Sequence, residues 1–125
     1  MTIASVSDMY LQAAADLGWK NPPTGYYITP VKEKILWTDK ETGAIVTLMK
    51  FSPGILDKKH KHPKANQWCF WIKGKLKEGD GPEVNAEGIL SYIPKGESHG
   101  GTQIVEECLV LFHWDGPRDP EVVGE

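Results

Sequence analysis

Five short apolar segments, divided by glycine and proline, constrain the fold of this chain most strongly. Each segment is rich in β-branched and aromatic residues, which favour pleated strands. The segments cover residues 35–37, 44–51, 67–72, 89–93 and 104–114. Gly or Pro, which tight turns require, occurs in each of the stretches 39–43, 52–54, 78–82, 94–96 and 115–117. Many short strands at this spacing predict an all-β sandwich or small barrel.

One helix is predicted near the start of the chain, over residues 7–17. Ser7 is a suitable N-cap, Asp8 favours the first turn, and Gly18 ends the segment. Three alanines at residues 13–15 add strong helix formers. We expect a short amphipathic helix that packs on the domain or on a second subunit.

The length of 125 residues is that of one ordinary domain, large enough to bury a core without disulfides. We expect the helix and a linker over residues 1–25, a barrel over 26–120 and a tail over 121–125. The tail is expected to be loose or to contact a partner as a strand. Cys69 and Cys108 each lie in an apolar run and are interpreted as buried thiols, although the sequence leaves a disulfide open.

Charge and composition argue against two classes of partner. The net charge is −3, and Arg118 is the only arginine among 14 basic residues, whereas nucleic-acid surfaces rely on arginine. The first residues lack the basic and apolar regions of a signal peptide, and no apolar run approaches the length needed to span a bilayer. We therefore expect a cytoplasmic protein that binds neither nucleic acid nor membrane.

Two stretches supply residues typical of a metal site. His60 and His62 are two apart, which on a strand directs both imidazoles to one side. Gln67 follows after room for a short turn, and His99 lies three residues after Gly96 in a second turn. Imidazoles and an amide oxygen suit a borderline divalent ion. The sequence predicts a metal site of three histidines and one glutamine.

The spacing of both stretches resembles the two sequence motifs of the cupin superfamily. The first motif is represented by Gly54, His60, His62, Gln67 and Gly74, with the glutamine where glutamate is usual. The second is represented by Gly88, Pro94, Gly96, His99 and Gln103, with the last glutamine where asparagine is usual. The resemblance implies a double-stranded β-helix, the jelly-roll barrel of that superfamily, around one divalent transition metal ion. Some cupins have lost the metal, so an empty barrel that binds a ligand is the alternative.

The predicted ligands give the site an unusual charge. Three neutral histidines and an amide leave the full dipositive charge at the site, whereas a glutamate at position 67 would reduce it by one unit. Such a site is expected to be a strong Lewis acid, suited to an anionic or enolate-forming substrate. Fe(II) is favoured, and Mn, Ni, Co or Zn are also compatible with these ligands.

Further candidates flank the predicted ligands. By alternation, Lys58 lies on the same side as His60, and Cys69 and Trp71 lie on the same side as Gln67. Lys58 could therefore reach the pocket, although most lysines of this kind are simply solvated. Cys69 is interpreted as an inert buried thiol rather than as a ligand.

The last predicted strand carries Trp114 and, four residues later, Arg118. This region resembles cupins that open unsaturated uronates, where an aromatic residue and an arginine have the same spacing, but Phe112 replaces the aspartate of those enzymes. Alternation directs either His113 or the pair Phe112 and Trp114 toward the cavity, and we favour the pair. Together with Lys58, Trp114 and Arg118 are the candidate catalytic residues.

Three functions remain open. Because the segment after the last strand also resembles that of cupins that oxidise β-diketones and hydroxyaryl ketones, the leading hypothesis is an Fe(II) dioxygenase-like enzyme. It would act on a small enolisable or aromatic ketone or acid. The alternatives are a non-redox isomerase or lyase on a sugar acid, whose carboxylate Arg118 or Lys58 would hold, and a non-catalytic ligand-binding or sensor protein. A small-molecule substrate, which can be anionic, and a homodimer are expected.

Overall fold

The computed structural model describes residues 2–6, 9–23 and 25–124, and nearly all of its regular structure is strand. The strands are β1 Thr2–Val6, β2 Met9–Gln12, β3 Val31–Thr38, β4 Ile45–Phe51, β5 Gly54–Ile55, β6 His60–Lys61, β7 Gln67–Lys77, β8 Glu83–Asn85, β9 Leu90–Ile93, β10 Gln103–Trp114 and β11 Glu121–Val122. Each of the five predicted segments coincides with one of these strands. The all-β class is therefore confirmed.

One large antiparallel sheet has the order β3-β4-β10-β7-β8, with β5 paired to β10 and β9 paired to β7. In its centre, Val110 of β10 lies opposite Met49 of β4 and Trp71 of β7. All three side chains are buried, so the core lies on this face of the sheet. Cys69 and Cys108 are free and buried, as predicted.

The other face of the same strands is also apolar but open to solvent. Phe70 and Ile72 of β7 are exposed, and so are Leu90 and Tyr92 of β9. Residues 68–72 consequently form a continuous hydrophobic run and not an alternating one, a pattern typical of strands covered on both faces.

The prediction of a helix over residues 7–17 is wrong for the residues of that segment that the structure describes. Met9–Gln12 forms β2, which pairs antiparallel with β1, and a single 3-10 turn, Ala14–Asp16, follows without a side-chain cap. Ser7 and Asp8, the predicted capping residues, lie outside the described residues. A helix this short is marginal in water even with good formers, so strand pairing prevails. No helix in the described ranges has the length and apolarity to cross a membrane.

The end of the chain returns to the histidine segment. Glu121–Val122 pairs antiparallel with His60–Lys61, so that Val122 lies opposite His60. This part of the predicted tail is thus a strand on its own chain. The pairing fixes one edge of the segment that carries the first two predicted ligands.

Candidate metal centre

Three histidines converge beside the core. His60 lies on β6, His62 follows this strand directly, and His99 precedes β10. Their ligating nitrogens all lie within 4.8 Å of one another. Two backbone hydrogen bonds, from the N–H of each of His60 and His99 to the carbonyl of the other, join the two segments at 2.8 Å. The fold therefore brings the three predicted histidines into one group that could hold a metal ion.

Backbone carbonyls orient two of the three rings. Nδ1 of His60 lies 2.7 Å from the carbonyl oxygen of Lys58, and Nδ1 of His62 lies 2.7 Å from that of Arg118. Because a carbonyl oxygen only accepts hydrogen bonds, each Nδ1 carries the hydrogen and each Nε2 keeps a free lone pair. Metal-ligating histidines are commonly oriented in this way.

The second nitrogen of His62 tests whether a metal ion fits. Within the described ranges, His62 Nε2 is a buried atom with no hydrogen-bond partner. Buried polar atoms are rarely left unpaired, and each such atom calls for an explanation. A lone pair that is buried among other imidazole nitrogens is explained by a bound cation. The residues present therefore fit a divalent ion.

Burial keeps all three imidazoles neutral. Removal from water penalises the charged ring, which lowers the pKa of His60 to about 3 and that of His99 to about 4. Burial also lowers the pKa of His62. Neighbouring imidazoles lower the pKa values of His60 and His99 further. At neutral pH the three side chains are in the form that binds metal.

The side-chain amide of Gln67 is held by two neighbours. Its Oε1 accepts a hydrogen bond of 2.9 Å from Trp114 Nε1, and its Nε2 donates to Cys69 Sγ at 3.1 Å. Because the indole nitrogen only donates, the amide oxygen must face Trp114, where it retains a second lone pair. Burial raises the pKa of Cys69 to about 11, so this thiol is protonated at neutral pH. Gln67 stays a predicted fourth ligand.

A cavity of about 490 Å³ opens beside the histidines, within the usual range for small-molecule sites. His60, His99 and Gln67 form part of its wall, and aromatic side chains such as Trp71 and Phe112 form much of the rest. Among the described residues that line it, none is a lysine or an arginine. The cavity therefore offers a largely apolar surface beside the histidines.

The three residues predicted to be catalytic lie outside this wall. Trp114 is fully buried behind Gln67. The guanidinium of Arg118 pairs with the buried carboxylate of Glu33 at 2.9 Å. Lys58 is exposed and borders a separate groove near the C-terminal strand. Their catalytic roles stay predictions, and any role of Trp114 or Arg118 acts through the residues they contact.

The orientation of β10 follows the alternation that we favoured. Phe112 lines the cavity and stacks on the buried Trp114, with ring centroids 5.0 Å apart. His113 lies on the opposite face, where it stacks on Trp68 at 5.2 Å. Phe112 of the predicted inward pair therefore lines the cavity, whereas Trp114 lies on the same face of the sheet but is buried behind Gln67 and does not line it.

Two residues of the wall escaped the sequence analysis. The ring of Tyr26 stacks on His60 with centroids 3.7 Å apart. Asp57 is buried, accepts a hydrogen bond of 2.9 Å from the Gly101 N–H, and has a pKa that burial raises to about 6. Neither residue occupies a motif position, and no local pattern in the sequence distinguishes them.

Solved structures with the same fold include proteins named as dioxygenases and a polyketide cyclase. A proposed acetylacetone dioxygenase from Methylibium petroleiphilum PM1 is 21% identical, with a TM-score of 0.73 over 99% of this chain and 86% of that chain. An acetylacetone dioxygenase from Acinetobacter johnsonii is 17% identical, with a TM-score of 0.72 over 98% and 83%. The polyketide cyclase RemF from Streptomyces resistomycificus is 17% identical, with a TM-score of 0.69 over 92% and 85%. At these identities the similarity shows the fold alone.

A family match agrees with the fold and the histidine group. No curated protein sequence matches this chain. The sequence profile of the ChrR cupin-like domain, however, matches residues 7–119, which is most of the chain. The predicted resemblance to cupins and the predicted jelly-roll barrel are both confirmed. The chain belongs to the ChrR cupin-like domain family.

Proposed function

We propose that this protein is a metal-dependent, dioxygenase-like enzyme for a small enolisable or aromatic ketone or acid. His60, His62 and His99 would hold the ion, with Gln67 as the fourth ligand and Fe(II) as the favoured metal. When bound, such an ion supplies Lewis acidity and, as iron, the redox chemistry that dioxygen requires. The remaining residues of the wall bind the substrate and exclude water.

The observation that carries the proposal is the chemistry of the cavity wall. Phe51, Trp71 and Phe112 form an aromatic cluster, with Phe51 ring centroids 5.8 Å from each of the other two. An aromatic or diketone substrate would bury its apolar surface there, while its oxygen atoms would face the histidine side. The names of two matched structures, one an acetylacetone dioxygenase and one a proposed acetylacetone dioxygenase, support the same substrate class.

The sugar-acid alternative has less support. It needs a cationic side chain to hold a carboxylate, yet Arg118 is paired with Glu33 and Lys58 lies at a separate groove. The described lining contains two carboxyl groups instead, those of Asp57 and Glu78. These groups would repel any anionic substrate, apart from whatever attraction the ion provides, so within the proposed class they favour ketones over acids. A ligand-binding or sensor role uses the same cavity without turnover.

Oxygen consumption separates these functions. Fe(II)-loaded protein should consume dioxygen in proportion to added β-diketone or hydroxyaryl ketone, and a His62→Ala variant treated in the same way should not. Turnover of a sugar acid that continues without oxygen would favour the isomerase or lyase. Saturable binding of the ketones without consumption of oxygen would favour the ligand-binding role.

The homodimer predicted from the sequence stays a prediction. The exposed apolar side chains of Phe70, Leu90 and Tyr92 on the outer face of the sheet give it a suitable surface. Sedimentation velocity should show a dimer at micromolar concentration, and Tyr92→Glu should shift it to a monomer. A monomer at high concentration would remove the hypothesis.

A further inference from the structure

A largely buried ion pair joins β3 to the segment that follows β10. Glu33 of β3 is completely buried, and its carboxylate receives both guanidinium nitrogens of Arg118, at 2.9 and 3.4 Å. Thr47 donates a third hydrogen bond to the same carboxylate at 3.0 Å. Two charges taken out of water are tolerated only with such complete pairing. The pair therefore fixes Arg118 firmly to the core.

Two contacts lead from Arg118 to the candidate metal centre. Its backbone carbonyl accepts the Nδ1 hydrogen of His62 at 2.7 Å. Its guanidinium lies over the ring of Trp114, 5.2 Å from the centroid, and that indole donates to Gln67 Oε1. Arg118 thus contacts the predicted ligand His62 through its backbone carbonyl, and through its guanidinium it contacts the indole that binds Gln67.

The backbone around Arg118 shows that its position is constrained. Asp119 has a φ of 25°, a left-handed conformation that residues other than glycine adopt only at an energetic cost. Gly116 lies so close to Lys64 that an added Cβ would be 2.6 Å from its carbonyl oxygen. A segment held in this conformation has little freedom to adjust, so the carbonyl of Arg118 stays aimed at His62 for as long as its guanidinium is anchored.

We propose that Glu33 and Arg118 are positioning residues of the metal centre. Their ion pair fixes the Arg118 carbonyl that orients His62, and it fixes the Trp114 ring that orients the amide oxygen of Gln67. The inference rests on the proposed metal site, and it assigns the ion pair to the geometry of that site instead of to substrate binding. Arg118 consequently does not hold the substrate.

Binding of Co(II) tests this inference without any substrate. Glu33→Gln removes the charge but keeps the shape, and it should weaken Co(II) binding roughly 10- to 100-fold, as is typical for partners of metal-bound histidines. The visible spectrum of the bound Co(II) should also change, because the ligands around it are re-oriented. Lys64→Met is the matched control, since it breaks the exposed Lys64 to Asp119 pair on the same segment. This control should leave both readouts unchanged.

A second variant distinguishes an effect on folding from an effect on metal binding. If Glu33→Gln does not fold, Arg118→Lys keeps the charge pair but loses the two-pronged contact, and it is expected to change the spectrum and weaken binding in the same direction. A folded variant with wild-type affinity and spectrum would overturn the inference and leave the metal site intact. Wild-type protein that binds no Co(II) would instead overturn the proposed metal site and, with it, this role of the pair.

Discussion

The two histidines of the first motif and the single histidine of the second are held in different ways. His60 and His62 are 1% and 3% exposed, and each donates a short hydrogen bond of 2.7 Å from Nδ1. His99 is only partly buried, and its Nδ1 lies 3.5 Å from the carbonyl of Glu97. Two of the predicted ligands are thus built into the core, whereas the third lies in an exposed turn. The site is complete only when that turn is in place.

Close backbone packing holds the turn. Gly100, next to His99, adopts a φ of 142°, and an added Cβ would meet the carbonyl oxygen of Lys58 at 2.7 Å and Cα of Lys59 at 2.8 Å. Lys58 is also the residue whose carbonyl orients His60. The turn therefore docks against the same backbone that fixes the first motif.

Loss of a ligand should have the largest effect. His60→Ala and His99→Ala should each weaken Co(II) binding by more than the roughly 100-fold seen when an outer partner is lost. In metal-free protein the two should differ, since His60→Ala removes a buried hydrogen bond and a ring stacked on Tyr26, at a cost of about 2–3 kcal/mol. His99→Ala should cost less than about 1 kcal/mol. Chelator competition measures the Co(II) affinity, and urea denaturation measures the free energy of unfolding. Equal losses of unfolding free energy in the two variants would contradict the difference between His60 and His99.

Gly100→Ala should come next. The new Cβ would collide with backbone atoms that cannot move aside, so the free energy of unfolding should fall by about 2–3 kcal/mol and Co(II) should bind more weakly. Gly101→Ala is the matched control, because its φ of 81° is strained but no atom lies within 4 Å. It should cost about 1 kcal/mol with little change in metal affinity. Equal effects of the two variants would show that close docking of the turn is unimportant.

Acid should destabilise the metal-free protein. Burial lowers the pKa of His60 to about 3, so on acidification below about pH 6.5 the unfolded chain binds a proton at His60 whereas the folded chain does not. The contribution of neutral His60 to the free energy of unfolding is therefore fully present above pH 6.5 and is lost as the pH falls toward 3. Between pH 6.5 and 4 we expect a loss on the order of 2 kcal/mol, reduced by Asp57, whose raised pKa has the opposite sign.

The same titration measures the contribution of each histidine. His60→Gln and His99→Gln should each flatten the acid limb of the stability curve, since burial lowers the pKa of both imidazoles. Urea denaturation at several pH values in the presence of a chelator measures both curves. A wild-type stability that rises on acidification through this window would contradict the account.

Gln67→Glu should have the smallest effect on the metal. The variant keeps an oxygen donor of the same length, so the ion should be retained, but the added negative charge lowers the Lewis acidity of the site. Activity toward a substrate found in the oxygen assay should therefore change. Unchanged activity at full metal loading would show that the charge of this ligand does not matter.

The strands and the ligand spacing could be predicted because both depend on local patterns. Strand alternation predicts that His60 and His62 point to one side and that Phe112 points inward. Turn chemistry predicts the turn at Pro94 and Gly96. Pairs distant in sequence could not be predicted in this way. Glu33 and Arg118 are 85 positions apart, and neither lies in a motif.

At the start of the chain, by contrast, a local pattern was present but gave a wrong prediction. Ala14–Asp16 lies within a good helix-forming sequence, yet only a 3-10 turn forms there, because the neighbouring Met9–Gln12 pairs with β1. Propensity is a weak guide when a short segment can gain backbone hydrogen bonds from a partner strand. Lys58 shows a related limit, since strand alternation placed it on the same side as His60, whereas it lies just before the strand and is exposed.

Elemental analysis of protein purified without an affinity tag or chelator tests the central claim most directly. The wild-type protein should contain one divalent transition metal ion per chain, and a folded His62→Ala variant should contain none. Wild-type protein with no bound ion, whose melting temperature does not rise on addition of Fe, Mn, Ni, Co or Zn, would contradict it.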